Sequence, residues 1–244
     1  MAARRASAEP AMEERTKRQE RAGRILDAAA ELTLRWGYNK TTIDDIARQA
    51  GVAKGTIYLH WKTREELFRA LLAREAVFLA EEMQPRMAND PEGMTIHGMM
   101  KHSVLAISKR PLMKAVILRD SELLGAWERY EYSQERTQLR LDTYSALLRQ
   151  LRERGLVRTD LSERQENYIL SFLGIGILMV DPWLPDDFKL SDEEAADMLA
   201  ETVRRTLEPR DAPVNDAQAA RSLAEYMDFE VQVAKKRNQE EMES

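Results

Sequence analysis

The chain has 244 residues, 43% hydrophobic and 32% charged, enough for a small domain followed by a larger one, each with its own core. It contains no cysteine, which excludes a disulfide framework, a thiolate metal site and a cysteine nucleophile. The formal charge of −5 is unevenly spread: residues 1–70 hold 14 Lys+Arg against 10 Asp+Glu, and the remainder carries a net −9, the pattern of a basic head on an acidic body. A chance fluctuation of a few charges gives the same numbers, so charge alone does not select a nucleic-acid partner.

Residues 1–14 mix Ala, Arg, Glu and Pro without periodicity and read as a disordered arm. From Arg15 the pattern is helical, with Ile25, Leu26, Ala29 and Leu32 in an apolar stripe and Gly37 ending it as a C-cap. Thr42-Ile43-Asp44-Asp45 is a hydroxyl N-cap with an acid three residues on, and Gly51 closes a second helix after barely two turns. A third helix is predicted over 53–61. Thr63-Arg64-Glu65-Glu66 opens a fourth, which carries Leu67, Phe68, Leu71 and Leu72 inward and runs to about residue 86.

After the break marked by Pro85, Asn89-Asp90-Pro91 and Gly93, helices are predicted over 94–109, 111–124, 127–154, 162–180, 191–207 and 216–236. Ser162 and Ser191, each followed three residues later by Gln165 and Glu194, mark two of these starts as capping boxes. No strand pattern of any length occurs, so the fold class is all-α. The expected organisation is a disordered arm (1–14), a helix-turn-helix DNA-binding domain (15–72), a helical effector-binding and dimerisation domain (73–238) and a disordered tail (239–244). No apolar segment follows Arg4 and Arg5 as in a signal peptide, and the apolar run 169–180 is too short to cross a bilayer. The expected location is the cytoplasm, with no membrane partner.

Two short helices around a glycine-containing turn form the geometry in which the second enters a major groove while the first braces it. Ile46, Ala47, Ala50, Val52 and Ile57 are placed to pack the pair, leaving Lys54, Gly55, Thr56, Tyr58 and His60 to face outward. Lys54 brings positive charge to the helix start, Gly55 lets backbone amides approach a phosphate, and Tyr58 and His60 offer hydrogen bonds. Lys62 lies just beyond, at the start of the fourth helix. An ordinary surface hairpin shares this periodicity.

Residues 37–68, GYNKTTIDDIARQAGVAKGTIYLHWKTREELF, closely resemble the N-terminal signature of the TetR family of regulators, without gaps. The resemblance covers roughly residues 20–72. It implies a three-helix DNA-binding head, a homodimer whose recognition helices reach successive major grooves of a partly palindromic operator, and a C-terminal domain that binds a small molecule. By the same resemblance Thr41 and Thr42 lie at the phosphate-facing start of the second helix, and Lys54, Gly55, Thr56, Tyr58, His60 and Lys62 lie at double-stranded operator DNA. Thr56 and Tyr58 are assigned to bases, and Tyr58, His60 and Lys62 to phosphate. Ala53 departs from the family pattern where a hydroxyl is frequent, and Leu59 where a polar or aromatic residue is frequent.

In the C-terminal part, the segment 169–180 is apolar on every side and needs cover throughout. With the helix after it, it is the candidate dimer interface, through Ile169, Phe172, Leu173, Gly176, Ile177, Met198 and Val203; burial within the monomer is the alternative. Met99, Met100, His102, Leu105, Trp127 and Tyr130, with Met94 and Trp183 beside them, suit an adaptable pocket for an apolar or aromatic effector, and core filling explains the same residues. His97 and His102, five apart, do not share a helix face, so no metal is expected, and no cofactor either. The chain lacks a Gly-x-Ser-x-Gly elbow and a phosphate loop, which argues against an enzyme. The expected function is a transcriptional regulator, a repressor released from its operator by a small effector; the alternative is a DNA-binding or nucleoid-type protein without ligand control.

Overall fold

The stripe from Ile25 to Leu32 lies on the first helix, Ala8–Trp36 (α1), of the computed structural model, which describes residues 8–125, 134–212 and 216–243. The expected disordered arm is therefore corrected over residues 8–14, which are helical; residues 1–7 lie outside the described residues. Pro10 falls in the first turn, where a missing N–H costs nothing, and Lys17 pairs with Glu13 at 2.6 Å one turn apart.

Three helices complete the head: Ile43–Ala50 (α2), Lys54–Tyr58 (α3) and Arg64–Asn89 (α4). Ile25, Leu26, Ile46, Ile57, Trp61, Leu67 and Leu71 are fully buried in one cluster. The α4 helix runs past its expected end and through Pro85. The proline removes one helical hydrogen bond, but Met83 and Met87 on either side are buried in the body and hold the last turn. This helix therefore belongs to both cores, head at its start and body at its end.

The body consists of Ile96–Ser108 (α5), Pro111–Leu118 (α6), Ser121–Leu124 (α7), Gln134–Glu153 (α8), Glu163–Met179 (α9), Asp192–Leu207 (α10) and Ala217–Glu243 (α11). The helix expected over 111–124 is split, because Arg119 adopts a left-handed conformation and the Asp120 side chain caps a new start by accepting from the amides of Glu122 and Leu123. Both capping boxes, Ser162–Gln165 and Ser191–Glu194, are formed. The α5 and α10 helices pack closely, and Leu148, Leu151, Val203, Leu207 and Leu223 fill the body core between them and their neighbours. Leu112, Ala115, Val116 and Leu124 from α6 and α7 instead join the head cluster, tying body to head. Among the described residues there is no strand, and no helix is long and apolar enough to cross a membrane.

The largest departure lies at the C-terminus. The tail expected from residue 239 is helical through Glu243, and α11 lies along α4 back to the head. There the Trp61 indole N–H donates to the Glu241 carbonyl at 3.2 Å, Arg69 meets the Glu241 carboxylate at 3.1 Å, and Met242 packs on the head core. A polar, charged sequence stays helical here because tertiary partners supply what its own apolar periodicity does not.

Candidate nucleic-acid interface

The interface is built on α2 and α3. Thr42 caps α2 by accepting from the Asp45 amide at 3.2 Å, and its hydroxyl donates to the Asp45 carboxylate at 2.5 Å. Gly51 ends α2 at φ 67°, a left-handed position that a side chain strains, and this sets the angle at which the chain turns into α3. With only five residues α3 has no stability of its own; Ile57, wholly buried, holds it against the head. Arg64 donates to the Tyr38 carbonyl and stacks 3.8 Å from the centre of its ring, locking the start of α4 to the turn before α2.

Held this way, Lys54, Gly55, Tyr58 and Lys62 are exposed, Thr56 is half-buried, and Thr42 is exposed at the start of α2. They share the outer side of the helix pair, as the sequence predicts. The Lys62 amide donates to the Glu66 carboxylate at 2.7 Å, leaving its ammonium group in solvent. Lys54 is not free: its ammonium sits 2.8 Å from Asp44, and that hydrogen bond and charge hold it above the usual lysine range. No sequence signal marks this pair, because the two residues are ten apart and only the turn at Gly51 brings them together.

Two expected DNA contacts are corrected. Thr41 is buried and donates to the Gly37 carbonyl at 2.9 Å, because the tight turn Tyr38–Lys40 tucks it inward and leaves the capping to Thr42. His60 is 7% exposed, its ring 5.3 Å from that of Trp61. The recognition helix ends at Tyr58, three residues before the expected 61, so the chain turns, carrying Leu59 outward to 75% exposure and His60 inward. Burial, followed by the charges of Arg18 and Arg21, pushes the His60 imidazole below its ordinary range, which disfavours the imidazolium that would pair with a phosphate.

In the body, Phe172 is 60% and Met198 50% exposed, Gly176 is exposed, and Ile169, Leu173 and Ile177 are half-buried. The segment read as needing cover on every side therefore has one face open, which Tyr168 and Ile175 extend. Val203 is corrected: it is 0% exposed in the monomer core and cannot reach another chain. Of the expected effector residues, Met99 and Leu105 are buried in packing, Met100 lies beside Tyr144, and His102 is bonded to Asp90 at 2.8 Å. None of these four lines the cavity of about 690 Å³ that opens at the start of α5; of the residues read with them, only Met94 does. Trp127 and Tyr130 lie outside the described residues.

Comparison with known proteins agrees with this geometry. The family model described as bacterial regulatory proteins, tetR family, matches residues 25–71, which carry α2, α3 and the start of α4. The HTH-type transcriptional regulator AcrR of Shigella flexneri is 29% identical over 194 residues, spanning 75% of this chain and 87% of that protein. Among solved structures, NalD, the secondary repressor of the MexAB-OprM multidrug efflux pump in Pseudomonas aeruginosa, superposes with a TM-score of 0.58 at 24% identity, over 81% of this chain and 100% of that one. FadR of Bacillus subtilis in complex with stearoyl-CoA superposes with a TM-score of 0.57 at 20% identity, over 74% of this chain and 96% of that one. At these identities the two structures speak for the fold; the match over the head speaks for DNA binding. Residues 25–71 thus form a helix-turn-helix domain of the tetR family of bacterial regulatory proteins, and over most of its length the chain is similar to helix-turn-helix transcriptional regulators.

Proposed function

We propose that the chain acts as a homodimeric repressor that holds a partly palindromic operator and is released by a small effector with an apolar or aromatic body. The observation that carries this reading is the recognition helix, which is buried through Ile57 and turns Lys54, Gly55, Thr56 and Tyr58 outward, with Lys62 following. Tyr58 and Thr56 are the base-reading residues; Lys62 holds phosphate, and Thr42 does so by turning to DNA the hydroxyl proton it gives Asp45 in the free chain. The open apolar face of α9 and α10, centred on Phe172 and Met198, is the surface on which a second copy packs, giving two heads for two half-sites. NalD is a repressor and FadR was captured with an acyl thioester, which favours repression and an effector with a long apolar part.

The test is selection of bound sequences from a random DNA library at near-physiological salt. An enriched partial palindrome with half-sites about one helical turn apart is the expected result. Measurable binding with no enriched sequence overturns the operator reading and leaves a non-specific, nucleoid-type binder.

A further inference from the structure

The cavity of about 690 Å³ lies where the start of α5, the end of α8, the last turns of α10 and the start of α11 converge. Its size is that of a small-molecule site. Met94, Ile96, Leu151, Leu156 and Leu223 make an apolar inner wall. The polar rim has a definite bias, because three of its four carboxylates are committed while most of its guanidinium donors are open. Glu201 serves two cations, Arg204 at 2.9 Å and Arg205 at 2.5 Å. Glu208 is taken by His97, with Nδ1 at 2.8 Å and the backbone amide at 3.3 Å. Asp216 accepts from the Gln218 and Ala219 amides and is spent on starting α11.

Glu92, exposed, stands loosely at 4.0 Å from Arg204 and 3.8 Å from His97 Nε2. Arg210 makes no ion pair or hydrogen bond with the described residues. His97 Nε2 is buried and has no hydrogen-bond partner among them. Each guanidinium carries five donors, so Glu201 leaves most of those on Arg204 and Arg205 unused, and Arg210 offers all of its own. An occupant that satisfies this rim brings acceptors and negative charge.

One wall of the cavity is also the first turns of α11, through Ala219, Ala220 and Leu223. From there the 27 residues of α11 extend about 40 Å to the head, where Glu241 receives the Trp61 indole three residues after the recognition helix ends. Along the way Asp228 holds Gln84 and Lys235 holds Glu81 of α4, so the helix is fastened at both ends and between.

We propose that this cavity receives a small amphipathic anion, its acidic head on Arg204, Arg205 and Arg210 and its apolar body against α8 and α11, and that α11 carries its presence to the seat of the recognition helix. The proposal deepens the effector-controlled reading, yet its binding half stands without any operator. Octanoate and 1-octanol are the probes, titrated calorimetrically into the full chain. Octanoate is expected to saturate at one per chain. The double variant R204A/R210A is expected to weaken octanoate roughly tenfold or more and 1-octanol less than about twofold, and A220W, which fills the cavity, to weaken both. Absence of saturable octanoate binding, or equal octanoate affinity in wild type and both variants, overturns the site.

The relay is read by amide hydrogen exchange over residues 54–62, a readout independent of DNA. Octanoate is expected to change exchange there in the full chain, and to leave it unchanged in a chain ending at residue 236 that still binds octanoate with unaltered affinity. Unchanged exchange in the full chain overturns the relay, as does an equal response in the shortened chain. Loss of octanoate binding on shortening also overturns it, since residues 237–244 lie at the far end of α11 from the cavity.

Discussion

Lys54 starts the recognition helix and Lys62 lies four residues beyond its end, and their different pairing predicts different contributions to DNA binding. The Lys62 ammonium is exposed without a carboxylate partner among the described residues, whereas Lys54 holds Asp44 at 2.8 Å. A lysine that meets phosphate releases condensed counterions, adding about 0.9 to the slope of log affinity against log salt. Replacing Lys62 by Ala should therefore lower the slope by about 0.9 per head, or about 1.8 for a dimer on two half-sites. Between about 50 and 200 mM salt, a fourfold range, the wild type should lose about 12-fold more affinity than the variant.

Lys54→Ala should change the slope less, because Lys54 must give up Asp44 to reach phosphate, while the bared Asp44 carboxylate repels DNA and weakens binding to all sequences. Fluorescence anisotropy with selected operator DNA at four salt concentrations measures both slopes. An unchanged slope for Lys62→Ala, or equal slope changes for the two variants, refutes the assignment of Lys62 as the free phosphate contact.

Other outcomes follow from the same packing. The folded-state pKa of His60 is depressed, so the unfolded chain takes up a proton first; stability is fully present above about pH 6.5 and is lost as pH falls through that value toward the folded pKa. His60→Gln should flatten this acid limb in thermal melts from pH 7.5 to 5, and an identical limb in both proteins contradicts the linkage. Arg152→Met strands the buried carboxylate of Glu166, its ion-pair partner between α8 and α9, and should cost about 3–5 kcal/mol in urea unfolding, with most of the loss recovered in Arg152→Met/Glu166→Leu. A loss under about 1 kcal/mol would show that the Arg152–Glu166 pair does not hold α8 to α9. Phe172→Glu puts a charge on the open apolar face of α9 and should convert a micromolar dimer to a monomer by sedimentation; a dimer that persists places the interface elsewhere.

The helices, their capping boxes and the helix-turn-helix could be read directly from the chain, because each depends on residues within a turn or two of one another. Thr42, Gly51, Ser162 and Ser191 act locally, and the structure uses all four as their neighbours dictate. The exposed face of Lys54, Gly55, Tyr58 and Lys62 follows from the same local register once Ile57 is known to point inward.

What failed to show in the sequence depended on partners far away along the chain. Thr41 and His60 look like their exposed neighbours in sequence, but a tight turn before α2 and the early end of α3 rotate both into the core. Val203 and Met198, five apart, lie on different faces of α10, and the packing of α10 on α5 buries the first and leaves the second free. Met99 and Leu105 filled a core while the cavity opened among charged residues that no apolar pattern marks. The last helix shows this most plainly. Its final turn has too little apolar periodicity to predict order, and it is helical because Trp61, Arg69 and the head core, some 170 to 180 residues earlier, are there to receive Glu241 and Met242. Local hydrogen bonding and side-chain period fix which segments are helices; which faces are covered, and by what, is settled only when distant helices meet.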